Sequence, residues 1–123
     1  MAITSAEVDI VIQNNSTWID AFQFGTVGDT SWSFTGQTFQ LDVKGNKDQA
    51  AALLSLTTGA GTIVVDDAVL RVLHFLVPDS VVKAALQVGE YEYELIMIDG
   101  STPPVRVPLM AGELHVTQGI GVG

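Results

Sequence analysis

The sequence predicts an all-β sandwich of seven to eight strands with one short helix near residues 79–86. Apolar residues recur at every second position in several segments, which is typical of strands with one buried face. Turn-forming residues separate those segments at short intervals, as in a β-sandwich. The 123 residues suffice for one core, so we predict a single domain over residues 1–123 with a short flexible tail near 119–123.

Three strands are predicted in the first third of the chain. Residues 8–12 form the first, and its outer face is partly apolar too, which is compatible with cover on both faces. The turn signal Asn14-Asn15-Ser16 separates it from an aromatic-rich strand at residues 18–24, which a loop at 25–30 follows. Residues 39–43 alternate most clearly, with Phe, Leu and Val on one face.

The middle of the chain predicts a second hairpin. Residues 49–56 are compatible with either a helical turn or a strand. Two β-branched segments, residues 62–65 and 69–77, predict antiparallel strands joined by the turn Asp66-Asp67-Ala68. The longer arm is apolar on both faces, which is expected of a central strand.

A short helix is predicted after Pro78. Asp79 or Ser80 is expected to cap its free N–H groups. The helix is expected to end before Gly89 and to bury a stripe that consists of Val81, Val82, Ala85 and Leu86.

The last hairpin, residues 89–117, is the clearest element of the sequence. Asp99-Gly100 begins its turn, Pro108 predicts an edge position or a bulge, and Gly112 predicts a kink. Its first strand alternates an apolar face with an acidic one, formed by Tyr91, Tyr93, Leu95 and Met97 and by Glu90, Glu92 and Glu94. The predicted core consists of Phe39, Leu41, Val43, Leu73, Phe75, Tyr91, Tyr93 and Leu95.

Composition disfavours several classes of partner. Fourteen acidic and five basic residues give a net charge of −9, which opposes binding to nucleic-acid phosphates or anionic lipid. The chain has no cysteine, so neither a disulfide framework nor a thiolate zinc site is expected. The N-terminus lacks the basic start and apolar core of a signal peptide, which predicts a protein used without secretion.

Catalytic, cofactor and metal sites are not expected. The three glutamates of the last hairpin suit a cation site or a glycosidase pair less well than a solvated strand face. Residues 42–48 resemble a calcium loop, but a lysine stands at a ligand position. His74 and His115 lack metal-binding spacing, so a metal site would need acids from distant strands. His74 suits the core or an interface, and His115 is expected to face outward.

The two tryptophans, Trp18 and Trp32, allow a second functional hypothesis. Aromatic rings stack on sugars in carbohydrate-binding modules, so a carbohydrate-binding sandwich is the alternative function, with Tyr91 as a third ring. The β pattern around both tryptophans favours packing in the core or at a sheet edge.

Five longer motifs occur in order along the chain: TGQTFQLDVKG (35–45), LTTGAGTIVV (56–65), VPDSVVKAAL (77–86), GEYEYELIMIDG (89–100) and VPLMAGELHVTQGI (107–120). They are similar to a family of small bacteriophage and prophage proteins, and in particular to the immunoglobulin-like N-terminal domain of phage baseplate upper proteins. The resemblance covers nearly the whole chain from Thr35 onward. This chain ends directly after its last strand, whereas those proteins continue into a fibre- or receptor-linking region.

The resemblance implies an immunoglobulin-like fold and a non-enzymatic structural or assembly role in a virion, in the tail, baseplate or fibre attachment. It implies other virion proteins as partners and assembly in the bacterial host cytoplasm. Together with the apolar segment 69–77, it also predicts a homo-oligomer, a trimer or dimer, formed through the first strand or that segment. The candidate interaction residues are Val8, Ile10, Ile12, Trp18, Trp32 and His74.

Overall fold

The computed structural model describes residues 6–25, 31–46, 48–49 and 51–118, which form nine strands and one helix. The predicted loop at 25–30, apart from Gly25, and the predicted tail near 119–123, from residue 119 on, lie outside the described residues. The elements are β1 Ala6–Glu7, β2 Ile10–Gln13, β3 Trp18–Gln23, β4 Thr38–Lys44, β5 Leu54–Thr57, β6 Ile63–Asp67, β7 Val72–Val77, α1 Asp79–Ala85, β8 Gly89–Ile98 and β9 Arg106–Thr117.

The strands form two sheets that enclose one core, so the predicted β-sandwich is confirmed. The large sheet has the order β1-β9-β8-β4-β5, and β2 also pairs with β9. The small sheet has the order β3-β7-β6, so β7 is central, as the sequence predicts. All pairs are antiparallel except those of β1 and β2 with β9.

The connectivity is immunoglobulin-like. A three-stranded sheet faces a sheet built on the C-terminal hairpin, and a short helix lies before the penultimate strand. At the start of β8 the Tyr91 hydroxyl donates a hydrogen bond to the Gln87 carbonyl, at 2.7 Å. This backbone contact is the tyrosine corner of the immunoglobulin fold.

The core follows the predicted alternation. Seven of the eight predicted core residues are buried, and Tyr91 is half-buried because its hydroxyl reaches the Gln87 carbonyl near the surface. Aromatic rings fill the space between the sheets: Phe34 contacts Phe39 edge-on, with ring centroids 4.6 Å apart. The outward glutamates of β8 are exposed, as predicted.

The first predicted strand is interrupted, which is one reason why nine strands form instead of seven or eight. Between β1 and β2, Val8 and Asp9 leave the regular ladder with β9. At this interruption a side chain replaces the backbone acceptor: Asp9 Oδ1 accepts a hydrogen bond from the Glu113 N–H of β9 at 3.1 Å. For residues 49–56 the sequence allows a helical turn or a strand, and the end of this segment belongs to strand β5, Leu54–Thr57.

The predicted strand at 69–77 begins too early. Val69 and Leu70 belong to a turn and are exposed, and the strand starts at Val72. Arg71 has a positive φ of 60°, a conformation that strands do not contain. Asp67 stabilises the turn, because its Oδ1 accepts a hydrogen bond from the Leu70 N–H at 2.9 Å.

The helix lies where predicted, but its cap and its buried face differ from the prediction. Pro78 is the N-cap, and no side chain caps the helix. The Pro78 carbonyl accepts hydrogen bonds from the N–H groups of Val81 and Val82. Val82 and Leu86, four residues apart, point into the core, whereas Val81 is 40% exposed. The stripe is therefore narrower than predicted.

The bulge in the last hairpin lies at Pro108, and not at Gly112. The register shifts where Leu95 pairs with Met110 and Ile96 pairs with Pro108, so Leu109 is the extra residue. Gly112 keeps the regular register opposite Tyr93. The glycine has another role, because the backbone of Val8 occupies the space of a side chain at this position.

Candidate interaction surfaces

Three of the predicted interaction residues lie in the core. Ile10, Ile12 and Trp18 are buried, and their side chains pack between the sheets. The Trp18 ring contacts Phe75 edge-on, and its Nε1 donates a hydrogen bond to Asp20 Oδ2 at 2.7 Å. These three residues therefore stabilise the fold and present no side-chain surface to a partner.

Trp32 is half-buried and packs inside the domain. Its ring contacts Phe34 edge-on, and the Arg71 guanidinium carbon lies 5.1 Å from its centroid. One side of the ring is thus occupied by a cation, and the Trp18 ring is enclosed. The two tryptophans do not form a shared platform on which a sugar could stack.

His74 lies at the middle of the outer face of the small sheet. Its Nδ1 lies 2.8 Å from an oxygen of Asp66, on the neighbouring strand. In the strand register it stands between Ala21 of β3 and Val64 of β6. Val8, between β1 and β2, is partly buried against the core. Of the six predicted interaction residues, His74 is thus the one with a side chain on the outer face of a sheet.

The outer face of the small sheet is largely apolar. Ile19 and Leu76 pair directly across β3 and β7, and their exposed fractions are 62% and 41%. The carboxylates near this face, Asp66 and Asp67, lie at the end of β6. We call this surface the small-sheet face and define it by its outward residues, five of which are apolar: Ile19, Ala21, Gln23, Val64, Val72, His74 and Leu76.

The outer side of the large sheet has the opposite character. A groove of about 660 Å³ runs over β1, β4, β8 and β9. Five carboxylates and one lysine line this acidic groove: Glu7, Asp42, Glu92, Glu94, Glu113 and Lys44. These six side chains carry a net charge of −4, of the −9 of the whole chain, on the side of the domain opposite the small-sheet face.

At the rim of this groove, acids from distant segments meet a histidine. Ligand atoms of Asp9, Glu113 and His115 all lie within 4.8 Å of one another. His115 Nε2 lies 3.1 Å from Glu113 Oε2, and its Nδ1 lies 3.5 Å from Glu90 Oε1. The sequence placed His115 beside Glu113 on an outward face, which is confirmed. Asp9 has no local spacing that would reveal it, because it lies 104 residues from Glu113.

Two groups in the described residues have shifted pKa values. Burial, with smaller contributions from the charges of Asp9 and Asp20, raises the pKa of the Tyr93 hydroxyl far above its ordinary value. Hydrogen bonds from the Ser101 hydroxyl and from the N–H groups of Val105 and Ser101 lower the pKa of Asp99. Through these hydrogen bonds Asp99 stabilises the predicted turn of the last hairpin.

Comparisons with known proteins give no family. No family model matches the chain, and no curated protein has a matching sequence. Among the described residues, no helix combines the length and the apolar character that a membrane span requires.

Proposed function

We propose that this chain is a non-enzymatic structural or assembly protein of a phage or prophage virion, in the tail, baseplate or fibre attachment, and that copies associate through the small-sheet face. The observation that carries the proposal is the contrast between its two sides. One side is apolar and the other is strongly acidic, as the small-sheet face and the acidic groove demonstrate.

The resemblance to baseplate upper proteins supplies the virion context. Its motifs at residues 35–45 and 89–100 correspond to strands β4 and β8, which are paired neighbours in the large sheet. The immunoglobulin-like sandwich is the fold that the resemblance implies. These agreements support a structural role without identifying the particle component.

The charge distribution favours association of two copies of the chain through their small-sheet faces. Two copies that met through their acidic grooves would repel each other, because each groove carries five carboxylates. Two copies that met through their small-sheet faces would bury Ile19 and Leu76 and keep the grooves apart. A two-fold contact of this kind is self-complementary, so each copy would contribute the same residues.

The virion role is tested on particles. The strain that encodes the chain is induced, particles are purified on a density gradient, and the protein is quantified by mass spectrometry, with an abundant cytoplasmic enzyme as the control. We expect the chain to sediment with tail-bearing particles while the control enzyme is depleted. A chain that stays with the cytoplasmic enzyme would contradict the virion role.

The contact is tested by cross-linking. The natural chain has no cysteine, so a single introduced cysteine reports on its own neighbourhood. Ala21 lies beside His74 on the small-sheet face, and Ala84 is another exposed alanine, on the helix. We expect Ala21→Cys to form disulfide-linked dimers under mild oxidation much faster than Ala84→Cys. Equal rates would contradict a contact through this face.

A further inference from the structure

The cluster at the rim of the acidic groove has the composition of a metal site. We propose that Asp9, Glu113 and His115 bind a divalent first-row transition ion of the Zn²⁺ type. The three side chains offer one imidazole nitrogen and two carboxylates, and both kinds of donor occur around protein-bound zinc. The proposal does not depend on the virion role.

The spacing of the donor atoms suits a small ion. Zinc binds nitrogen and oxygen ligands at about 2.0–2.2 Å in tetrahedral geometry, which places neighbouring donor atoms roughly 3.3–3.6 Å apart. His115 Nε2 and Glu113 Oε2 already lie 3.1 Å apart. A carboxylate oxygen of Asp9 lies within 4.8 Å of a donor atom of each of the other two residues, so the three side chains would have to move closer together to share one ion.

A fourth residue orients the imidazole. Glu90 pairs with His115 across β8 and β9, and its Oε1 lies 3.5 Å from His115 Nδ1. Histidine ligands in proteins usually donate the proton of their second ring nitrogen to a carboxylate or carbonyl, which fixes the tautomer. Glu90 is in the position to accept that proton, and it would leave Nε2 free to coordinate the ion.

Asp9 is held near the histidine by the interruption between β1 and β2. The Tyr93 hydroxyl donates a hydrogen bond to the Val8 carbonyl, and the absence of a side chain at Gly112 lets this backbone approach β9. Asp9 Oδ1 accepts from the Glu113 N–H, so Asp9 could coordinate an ion through Oδ2 without losing that bond. The site is therefore built from the backbone geometry of two segments as well as from its side chains.

The donor set favours a transition ion over calcium or magnesium. Imidazole is a ligand of zinc, copper, iron and nickel, whereas magnesium and calcium take oxygen ligands. The carboxylates of the neighbouring groove also raise the local concentration of cations. We therefore expect Zn²⁺ to be coordinated by all three residues and Mg²⁺ not to be coordinated by the histidine.

The experiment is a calorimetric titration of the tag-free full chain with Zn²⁺ and, separately, with Mg²⁺. We expect one Zn²⁺ site per chain and much weaker Mg²⁺ binding. The variant His115→Gln should lose Zn²⁺ affinity by at least about tenfold, and Glu90→Gln by about tenfold, as is usual for a residue behind a ligand. Asp9→Asn retains an oxygen that can accept from Glu113, so it should lose affinity while the fold persists.

The matched control is His74→Gln. His74 is the other histidine of the chain, and it also lies 2.8 Å from a carboxylate, on Asp66. This variant should bind Zn²⁺ as the natural chain does. The proposal would be overturned by an absence of Zn²⁺ binding, by equal affinity for Mg²⁺, or by Zn²⁺ binding that depends on His74 and not on His115. Those results would leave His115 as a surface residue paired only with Glu90 and Glu113.

Discussion

The carbonyl group of Val8 occupies the space that a side chain at Gly112 would need. The Tyr93 hydroxyl donates a hydrogen bond to the same carbonyl from within the core. The first strand of the domain is thus attached to the last through one glycine and one tyrosine. Because β1 and β2 both pair with β9, this contact helps to hold the N-terminal segment at the edge of the large sheet.

Gly112→Ala is expected to destabilise the domain by about 1–3 kcal/mol, as overpacking usually does. The new methyl group would meet backbone atoms of Val8, which cannot rotate away as a side chain can. Gly59→Ala is the control, because a methyl group there meets no atom within 4 Å. Urea unfolding measures both variants, and equal free energies of unfolding would contradict the close approach of Val8.

Tyr93→Phe should lower the free energy of unfolding by about 1 kcal/mol at neutral pH, because the Val8 carbonyl loses its donor. Its pH dependence is the sharper test. Burial raises the pKa of Tyr93 in the folded state, so the unfolded state releases this proton first as pH rises. The stabilisation is fully present below pH about 10, the ordinary tyrosine pKa, and is lost progressively above it.

The natural chain should therefore lose stability above pH about 10 more steeply than Tyr93→Phe does. Urea melts at a series of alkaline pH values give the difference between the two proteins. Subtracting the free energies of unfolding of the two proteins at each pH cancels the titration of the lysines and of Tyr91, which both proteins contain. Parallel pH profiles would mean that the Tyr93 hydroxyl is not buried.

Leu41→Ala should cost about 2–5 kcal/mol, as other large-to-small changes in cores do. Leu41 is fully buried on β4, between its register partners Leu56 and Leu95. Val11→Ala is the comparison, because Val11 is 67% exposed on β2. Denaturation with urea should separate the two variants clearly, and a small loss for Leu41→Ala would place that strand outside the core.

Arg71→Met should destabilise the domain by roughly 3 kcal/mol, because buried carbonyls would lose their donors. Arg71 is 1% exposed, and its guanidinium donates to the carbonyls of Phe24, Trp32 and Val69 at 2.8–3.2 Å. Methionine fills a similar volume without these donors. Arg106→Met, at an exposed position, should change the melting temperature little. A comparable shift in both variants would contradict this role of Arg71.

The sequence predicts the sheets well because the alternation that identifies a strand is visible within a few consecutive residues. Alternation along β4 and β8 identifies both the strands and their buried faces, and the two strands then pair in register over seven residues. The elements that it misses depend on distant contacts. The turn before β7 forms around Arg71, whose guanidinium bonds to Phe24, 47 residues away. The interruption at Asp9 depends on Glu113, 104 residues away.

The surfaces are harder to predict than the core. Periodicity alone does not distinguish an exposed apolar residue such as Ile19 from a buried one such as Ile10, because strands covered on both faces have the same composition. The apolar segment around His74 predicts a core or interface residue. Val72 and Leu76 do share its outward face, whereas Leu73 and Phe75 are buried in the core. Trp18 is a candidate because its ring could stack on a sugar, and it is a core residue, in agreement with the β pattern around it.

Light scattering over a concentration series tests the proposed self-association most directly. Ile19→Lys introduces a charge into the small-sheet face, and Val11→Lys introduces the same charge at an equally exposed position of β2. We predict that the natural chain and Val11→Lys exceed the monomer mass as concentration rises, whereas Ile19→Lys stays a monomer. A natural chain that remains monomeric throughout, or association that Val11→Lys abolishes and Ile19→Lys preserves, would contradict the account.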